Sequence, residues 1–341
     1  MHNHFDLKEA RSNPLKQRKL GSSELVVSAI GLGMGSATTN FGERDDEVQI
    51  ATMQRALDLG VNFFDTSDAY QKGRHEQLIG QAIKGRRHEV VIASKFGNLA
   101  LPDGKKDFNG RPEYVPLACN ASLTRLGVDA IDLYYLHRID PEVPITDTVG
   151  AMAELVRKGK VRYLGLCEAG PKSIERAHKV HPISALQTEY SLWCREVEAE
   201  ILPACRALGI SFVPYAPLSR GLLTGNVRKF DDIAPNDIRR KHPRFQHGNL
   251  ERNLELLKPL ETIAVAHGVT MPQVALAWLL SRGGDIVPIP GTKQQKYLEQ
   301  NVAAIDLELE PRELDLLSSA FRPGVGAGER LPPGYTRTVG A

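Results

Sequence analysis

The chain has 341 residues, 42% of them hydrophobic and 25% charged, which is enough apolar material for a sizeable core and places it outside the disordered class. Its 43 basic and 41 acidic residues are interspersed and leave a formal charge of +2, so no electrostatic footprint for nucleic acid or an anionic membrane stands out. A small-molecule partner is therefore expected.

The opening MHNHFDLKEARSNPLKQRK has no apolar stretch of the kind a secretory signal carries. No later run approaches the roughly 18 apolar residues of a membrane-spanning helix, so a cytoplasmic protein is expected. His2 and His4 read as solvated terminal residues, and no metal is expected. The turn signal Gly21-Ser22-Ser23 between two β-like runs predicts a short N-terminal hairpin. Eight strand-like runs follow, at 30–34, 61–66, 90–95, 131–137, 161–166, 185–189, 211–215 and 286–290. Helix-patterned segments alternate with them at 43–59, 74–84, 116–126, 145–157, 171–179 and 196–208, with a double segment at 254–280. ATMQRALDLG and AMAELVRKGK each place their apolar residues on one helical face and end at glycine. Pro171 after Gly170 suits a first helical turn.

Strict alternation of strand and helix forces parallel strands with right-handed crossovers. Eight such units predict an α/β fold, a closed (β/α)8 TIM barrel in which residues 1–341 form a single domain, with a core at about 20–321 and a tail at 322–341. An open doubly wound sheet is the alternative. Long stretches at 97–114 and 225–249 follow strands, so they lie over the C-terminal face of the barrel and, with the tail and Trp193, are expected to wall a substrate pocket. The four cysteines, Cys119, Cys167, Cys194 and Cys205, have neither CxxC nor metal-ligand spacing and read as reduced thiols. GLGMGS at 31–36 resembles a dinucleotide fingerprint, but Ser36 stands where the last glycine belongs and no acidic strand end completes the pattern, so a Rossmann site is rejected.

The chemistry concentrates at strand ends. Asp65 and Tyr70 close the run VNFFDTSDAY, Lys95 closes VVIAS, and His137 closes IDLYYL. Singly, each has a bland reading as a cap or a core residue; together they match the way a barrel builds an active site. Tyrosine is a poor acid near neutrality because its pKa is about 10. A neighbouring ammonium at Lys95, held charged by Asp65, is expected to lower that value and make Tyr70 a proton donor to a carbonyl oxygen that His137 orients. Nothing in this set supplies a hydride, so a redox cofactor is required.

Over nearly its whole length, from Leu20 to Phe321, the chain resembles an aldo-keto reductase. The resemblance rests on FFDTSDAY with GRHEQLIGQAI, VVIASKFG, RLGVDAIDLYYLHR, KVRYLGLCEA, ISALQTEYSLW, VPYAPLSRGLLTG and IVPIPGTKQQKYLEQN. It is strongest to the bacterial and plant branch that acts on varied aldehydes and ketones. The resemblance implies Tyr70 as general acid with Asp65, Lys95 and His137, and NADPH as cofactor. It also places Gly33, Met34 and Asp65 along the cofactor, Gln187 on the nicotinamide carboxamide, and Tyr215 stacked on the nicotinamide ring. Pro217, Leu218, Ser219, Arg220, Gly221 and Leu222 would run beside the pyrophosphate, Gly291, Thr292 and Lys293 at the adenosine 2'-phosphate, and Gln300 and Asn301 near the adenine. The physics agrees at the phosphate end, because a turn opening a helix offers donors and a dipole to an anion and Lys293 adds charge. One departure stands out: Cys167 and Glu168 replace the Ser or Ser-Asn of many relatives at the nicotinamide edge.

Two other readings are open on the residues alone. Lys95 suits a Schiff-base aldolase, although an Asp65 partner would keep its amine charged; borohydride trapping with substrate discriminates. An NADPH-binding sensor subunit with little turnover would bind nucleotide and show no steady-state rate. The surface helices are amphipathic in the ordinary way, so the oligomeric state is left open by the sequence.

Overall fold

A computed structural model describes residues 14–35, 45–100 and 106–332. His2, His4, Ser36, the first residues of the helix expected from 43 and the end of the tail lie outside them. Strand β1 (Gln17–Lys19) pairs antiparallel with β2 (Val26–Ser28), which is the expected hairpin, and Gly21 takes a left-handed φ of 56° at its turn. Seven parallel strands then form one sheet: β3 (Leu32–Gly33), β4 (Phe63–Asp65), β5 (Val91–Phe96), β8 (Ile131–Leu136), β9 (Val161–Cys167), β10 (Ile183–Glu189) and β11 (Ser211–Tyr215). A small antiparallel hairpin, β6 (Asn98–Ala100) with β7 (Lys106–Phe108), lies outside that sheet in the long stretch after β5. Its pairing was not anticipated.

The eighth run closes the barrel without being a regular strand. Val287 and Ile289 donate to Phe212 and Pro214 on β11, while the carbonyls of Pro288 and Pro290 accept from Gly31 and Gly33 beside β3. Prolines at 288 and 290 have no N–H to donate, so the ladder toward β3 runs in one direction only. Closure also explains Gly33, since a Cβ there would lie 2.6 Å from the Ile289 carbonyl oxygen. A closed barrel replaces the open-sheet alternative.

Helices α1 (Asp46–Asp58), α2 (Arg74–Ala82), α3 (Tyr114–Leu126), α4 (Ile145–Arg157), α5 (Pro171–Val180) and α6 (Ile201–Ala207) cover the outside in the expected alternation. Asp45 caps α1 by accepting from the amides of Glu47 and Val48. The double segment at 254–280 is three helices, α7 (Asn249–Glu255), α8 (Lys258–His267) and α9 (Met271–Leu280), because Gly268 in a left-handed conformation ends α8 and Pro272 starts α9. Helices α10 (Gln295–Ala303) and α11 (Pro311–Ala320) follow.

Two apolar layers result from the period of two along each strand. Phe64, Ile92, Phe96, Tyr134, Leu136, Leu164, Leu166, Leu186 and Phe212 face the helices, whereas Phe63, Ala93, Leu133, Tyr135, Ala185, Val213 and Val287 fill the barrel with Leu20, Leu25 and Val27 of the hairpin. Arg18 fastens that hairpin to the barrel floor through the carbonyls of Leu280 and Gly283, each at 2.9 Å, and of Ile286. Among the described residues no single helix is long and apolar enough to cross a membrane.

Candidate active site

The inward column of six of the seven strands, all but β3, ends in a polar or reactive side chain. Continuing the parity of Phe63, Ala93, Tyr135, Gly165, Ala185 and Val213 by two residues reaches Asp65, Lys95, His137, Cys167, Gln187 and Tyr215. All six therefore converge at the C-terminal mouth of the barrel, the face that carries active sites in this architecture.

Lys95 is fully buried, and its Nζ lies 2.5 Å from Asp65 Oδ1, 2.7 Å from the Thr66 carbonyl and 5.3 Å from the centroid of the Tyr70 ring. Burial alone would depress the ammonium, but Asp65, Tyr70 and Cys167 together outweigh burial and hold the Lys95 pKa above its ordinary value. Lys95 is thus favoured as an ammonium. The Tyr70 hydroxyl behaves differently from expectation. Burial pushes its pKa up and outweighs the pull of Lys95, which Asp65 partly cancels, so the phenol stays protonated well past neutrality. It therefore remains a neutral O–H group beside the Lys95 ammonium.

The loop that presents Tyr70 is tightly specified. The backbone turns left-handed at Gln71, Lys72 and Gly73 before α2 begins, with φ of 51°, 55° and 83°. Helix α2 is pinned from below by Glu76, which accepts from Ser94 at 2.6 Å and from Arg125 at 2.5 Å. Gly35 lies against the phenol; a Cβ there would stand 3.1 Å from the Tyr70 hydroxyl. His137 packs edge-on to Tyr70 at 6.0 Å between ring centroids, and its Nδ1 is 3.0 Å from Ser67 Oγ. Ser67 orients this ring, a function that nothing in its sequence context signals. Beside it, Asp68 is pushed up to about 7 by burial and by Glu76.

The residues expected along a cofactor occupy one arc of the mouth. Met34 donates its amide to the Asp65 carbonyl at 2.9 Å. Gln187 Nε2 donates to Asp65 Oδ2 at 2.7 Å, leaving its amide oxygen directed to other partners. Ala216, Ser219, Arg220 and Gly221 all have left-handed φ, so the stretch after β11 folds back tightly, the amides of Ser219 and Gly221 donating to the carbonyls of Ala216 and Leu218 at 2.8 and 2.9 Å. Its side chains face inward: Leu222 is core, Ser219 Oγ is 2.9 Å from Ser191 Oγ, and Arg220 forms a two-pronged ion pair with Glu189 at 2.7 and 3.0 Å. Pro217 and Leu218 form the bend itself. Gly291, Thr292 and Lys293 precede α10, with Gln294 in the capping position and its amide on Thr292 Oγ1 at 3.1 Å. Gln300 and Asn301 lie one to two turns into that helix. Burial lowers the Lys293 pKa despite Asp237 nearby. An aromatic platform at Tyr215, an amide at Gln187, a backbone fold at 216–221 and a lysine before a helix N-terminus form a donor set that fits a phosphorylated nicotinamide dinucleotide.

Cys167 is buried, its thiol pushed up to about 12 by burial, and so is inert as a nucleophile. The four cysteines are free and buried, as expected of reduced thiols. Glu168 is nearly fully buried in a left-handed conformation, φ 54°. Its carboxylate accepts from Tyr215 at 2.7 Å and from Arg330 at 2.7 and 3.1 Å. Arg330 sits in the tail, where no periodicity or motif points to it. Glu189 ends a strand-like run, and an acidic residue there was the available sign of a buried ion pair. Trp193 is buried edge-on to Phe321 at 5.3 Å and packs beneath the tail.

Residues 29–321 match the aldo/keto reductase family. The chain belongs to that family. It is 43% identical over 323 residues to the Schizosaccharomyces pombe aldo-keto reductase yakc [NADP(+)], covering 93% of this chain and 94% of that one. Among solved structures, it resembles a thermostable aldo-keto reductase crystallised with the inhibitor epalrestat, at 30% identity and a TM-score of 0.73 over 90% of this chain and all of that one. A glycerol dehydrogenase from Gluconobacter oxydans shares the fold at 24% identity, with a TM-score of 0.82 over 95% of this chain and 96% of that one. The (β/α)8 barrel and an oxidoreductase of carbonyl compounds follow from membership of the aldo-keto reductase family.

Proposed function

We propose that this protein is a cytoplasmic NADPH-dependent reductase that converts an aldehyde or ketone to the alcohol, with Tyr70 as general acid. The observation that carries the reading is the inward cluster Asp65–Lys95–Tyr70–His137 at the barrel mouth, with the Lys95 amine on Asp65 and beside the Tyr70 ring. NADPH supplies the hydride when bound. Tyr70 gives its proton to the carbonyl oxygen, Lys95, kept charged by Asp65, stabilises the phenolate left behind, and His137 orients the oxygen. Lys293 and Thr292 before α10 support a preference for the 2'-phosphate of NADPH over NADH. The yakc relative, named for NADP(+), points the same way. The Lys95–Asp65 pair disfavours the aldolase, since a Schiff base requires a neutral amine.

Fluorescence titration with NADPH and NADH, followed by absorbance assays of NADPH oxidation over a panel of aldehydes and ketones, tests the proposal. Binding of NADPH with turnover supports it. Binding without turnover across the panel favours the sensor reading, and failure to bind either nucleotide removes the cofactor assignment.

A further inference from the structure

Glu168, the departure at the expected nicotinamide edge, is paired with a residue far away in sequence, Arg330. Glu168 Oε1 accepts from the Tyr215 hydroxyl at 2.7 Å, the Glu189 amide at 3.2 Å and Arg330 Nη1 at 3.1 Å, and Oε2 accepts from Arg330 Nη2 at 2.7 Å. A carboxylate so occupied cannot stand in for an amide that both donates to and accepts from a ligand carboxamide. Its contacts instead run sideways, to the tip of the ring at the end of β11.

The tail delivers Arg330 along a fixed path. Asn253 holds Ala327 by both backbone groups, donating to its carbonyl at 2.9 Å and accepting from its amide at 2.8 Å. Gly326 lies on the Trp193 indole so closely that a Cβ would stand 2.1 Å from the ring nitrogen, so the chain can pass there only without a side chain. Arg330 then enters a pocket of buried charge. Glu168 and Glu189 are essentially inaccessible, and Arg220 pairs with Glu189 while Arg244 and Arg330 each stand 3.9 Å from it. Removing Arg330 would leave Glu168 buried without its counter-ion, a costly state that the site can relieve only by moving Glu168 and the phenol it holds.

We propose that Arg330 is a positioning residue for the cofactor: it neutralises Glu168, Glu168 anchors the Tyr215 hydroxyl, and the Tyr215 ring is thereby held ready to stack on the nicotinamide. The tail is accordingly part of the cofactor site and not solely a wall of the substrate pocket. This rests on the NADPH reading above, and the experiment separates the two.

NADPH Kd is measured by fluorescence titration on the full-length wild type and on Arg330→Met, Arg330→Lys, Glu168→Gln and the Glu168→Gln/Arg330→Met pair, with Tm recorded for each. The expected result is an NADPH Kd raised about tenfold in Arg330→Met, the size of a typical contact coupling, and partial recovery in Arg330→Lys. The double variant should bind more tightly than Arg330→Met, because a neutral Glu168→Gln needs no counter-ion. A tail that acted only as packing would show a lowered Tm in both, with no such recovery. If Arg330→Met folds poorly, the comparison of Glu168→Gln with the double variant still decides: equal Kd values support the relay, and a further tenfold loss overturns it. Wild-type binding with an unchanged Kd in Arg330→Met overturns the inference alone, whereas a wild type that binds no NADPH overturns the reading beneath it.

Discussion

Gln187 hangs from the same carboxylate that holds Lys95: its Nε2 donates to Asp65 Oδ2 at 2.7 Å while Lys95 Nζ meets Oδ1 at 2.5 Å. One buried aspartate thus sets the charge beside the proposed acid and the orientation of the proposed carboxamide ligand. Asp65→Asn should reduce kcat by about a hundredfold, within the range of general acid–base effects, and weaken NADPH binding at the same time. Stopped-flow turnover with parallel titration checks this; an unaltered Kd would separate the two sets.

Tyr70→Phe removes the hydroxyl and keeps the ring against Gly35 and His137. Turnover should fall by about a thousandfold, with NADPH affinity within about twofold of wild type. A variant that retains its rate would remove Tyr70 from the mechanism.

Lys95→Met leaves Asp65 buried with Gln187 but without its cation. Losing one partner of a buried pair costs about 3–5 kcal/mol, and Asp65→Asn/Lys95→Met should recover part of that loss. Denaturant unfolding measures both. A single variant within about 1 kcal/mol of wild type would contradict the pair's isolation from solvent.

Asp68 carries a pH signature. Its folded pKa of about 7, raised by burial and by Glu76, lies above the ordinary 3.8 of an aspartate. Between those values the folded protein binds more protons than the unfolded chain, so this group's contribution to stability is complete below about 3.8 and declines as pH rises through about 7. Asp68→Asn should flatten that decline in the difference between the two unfolding free-energy profiles from pH 4 to 8. Parallel profiles across that window would mean that Asp68 is solvated.

Seven strands and the four residues of the proposed chemistry were legible because local rules suffice for them: a short apolar run, a two-residue period and a polar residue at its end. The run at 286–290 was legible as apolar, but its prolines make it a seam and not a ladder. Position 168 could be seen as unusual, yet its partner could not, because Arg330 is brought to it by the path of the tail and by Asn253, which leave no periodic mark. The sign of the Tyr70 shift was equally hidden. It depends on whether burial or Lys95 prevails, and burial is a property of the folded mouth.

The proline seam also bears on how the barrel breathes. Along 285–290, among the described residues, the backbone bonds to the neighbour at β3 come from the amides of Gly31 and Gly33, and Gly33 makes a long bond of 3.4 Å to Pro290. Such a stave has few fastenings on one edge, so deuterium should enter at Gly31 and Gly33 before it reaches the amides of β5, β8 and β9. Opening there would part the circle next to Met34 and Gly35, beside the phenol itself, and would give the barrel a hinge where its chemistry is sited.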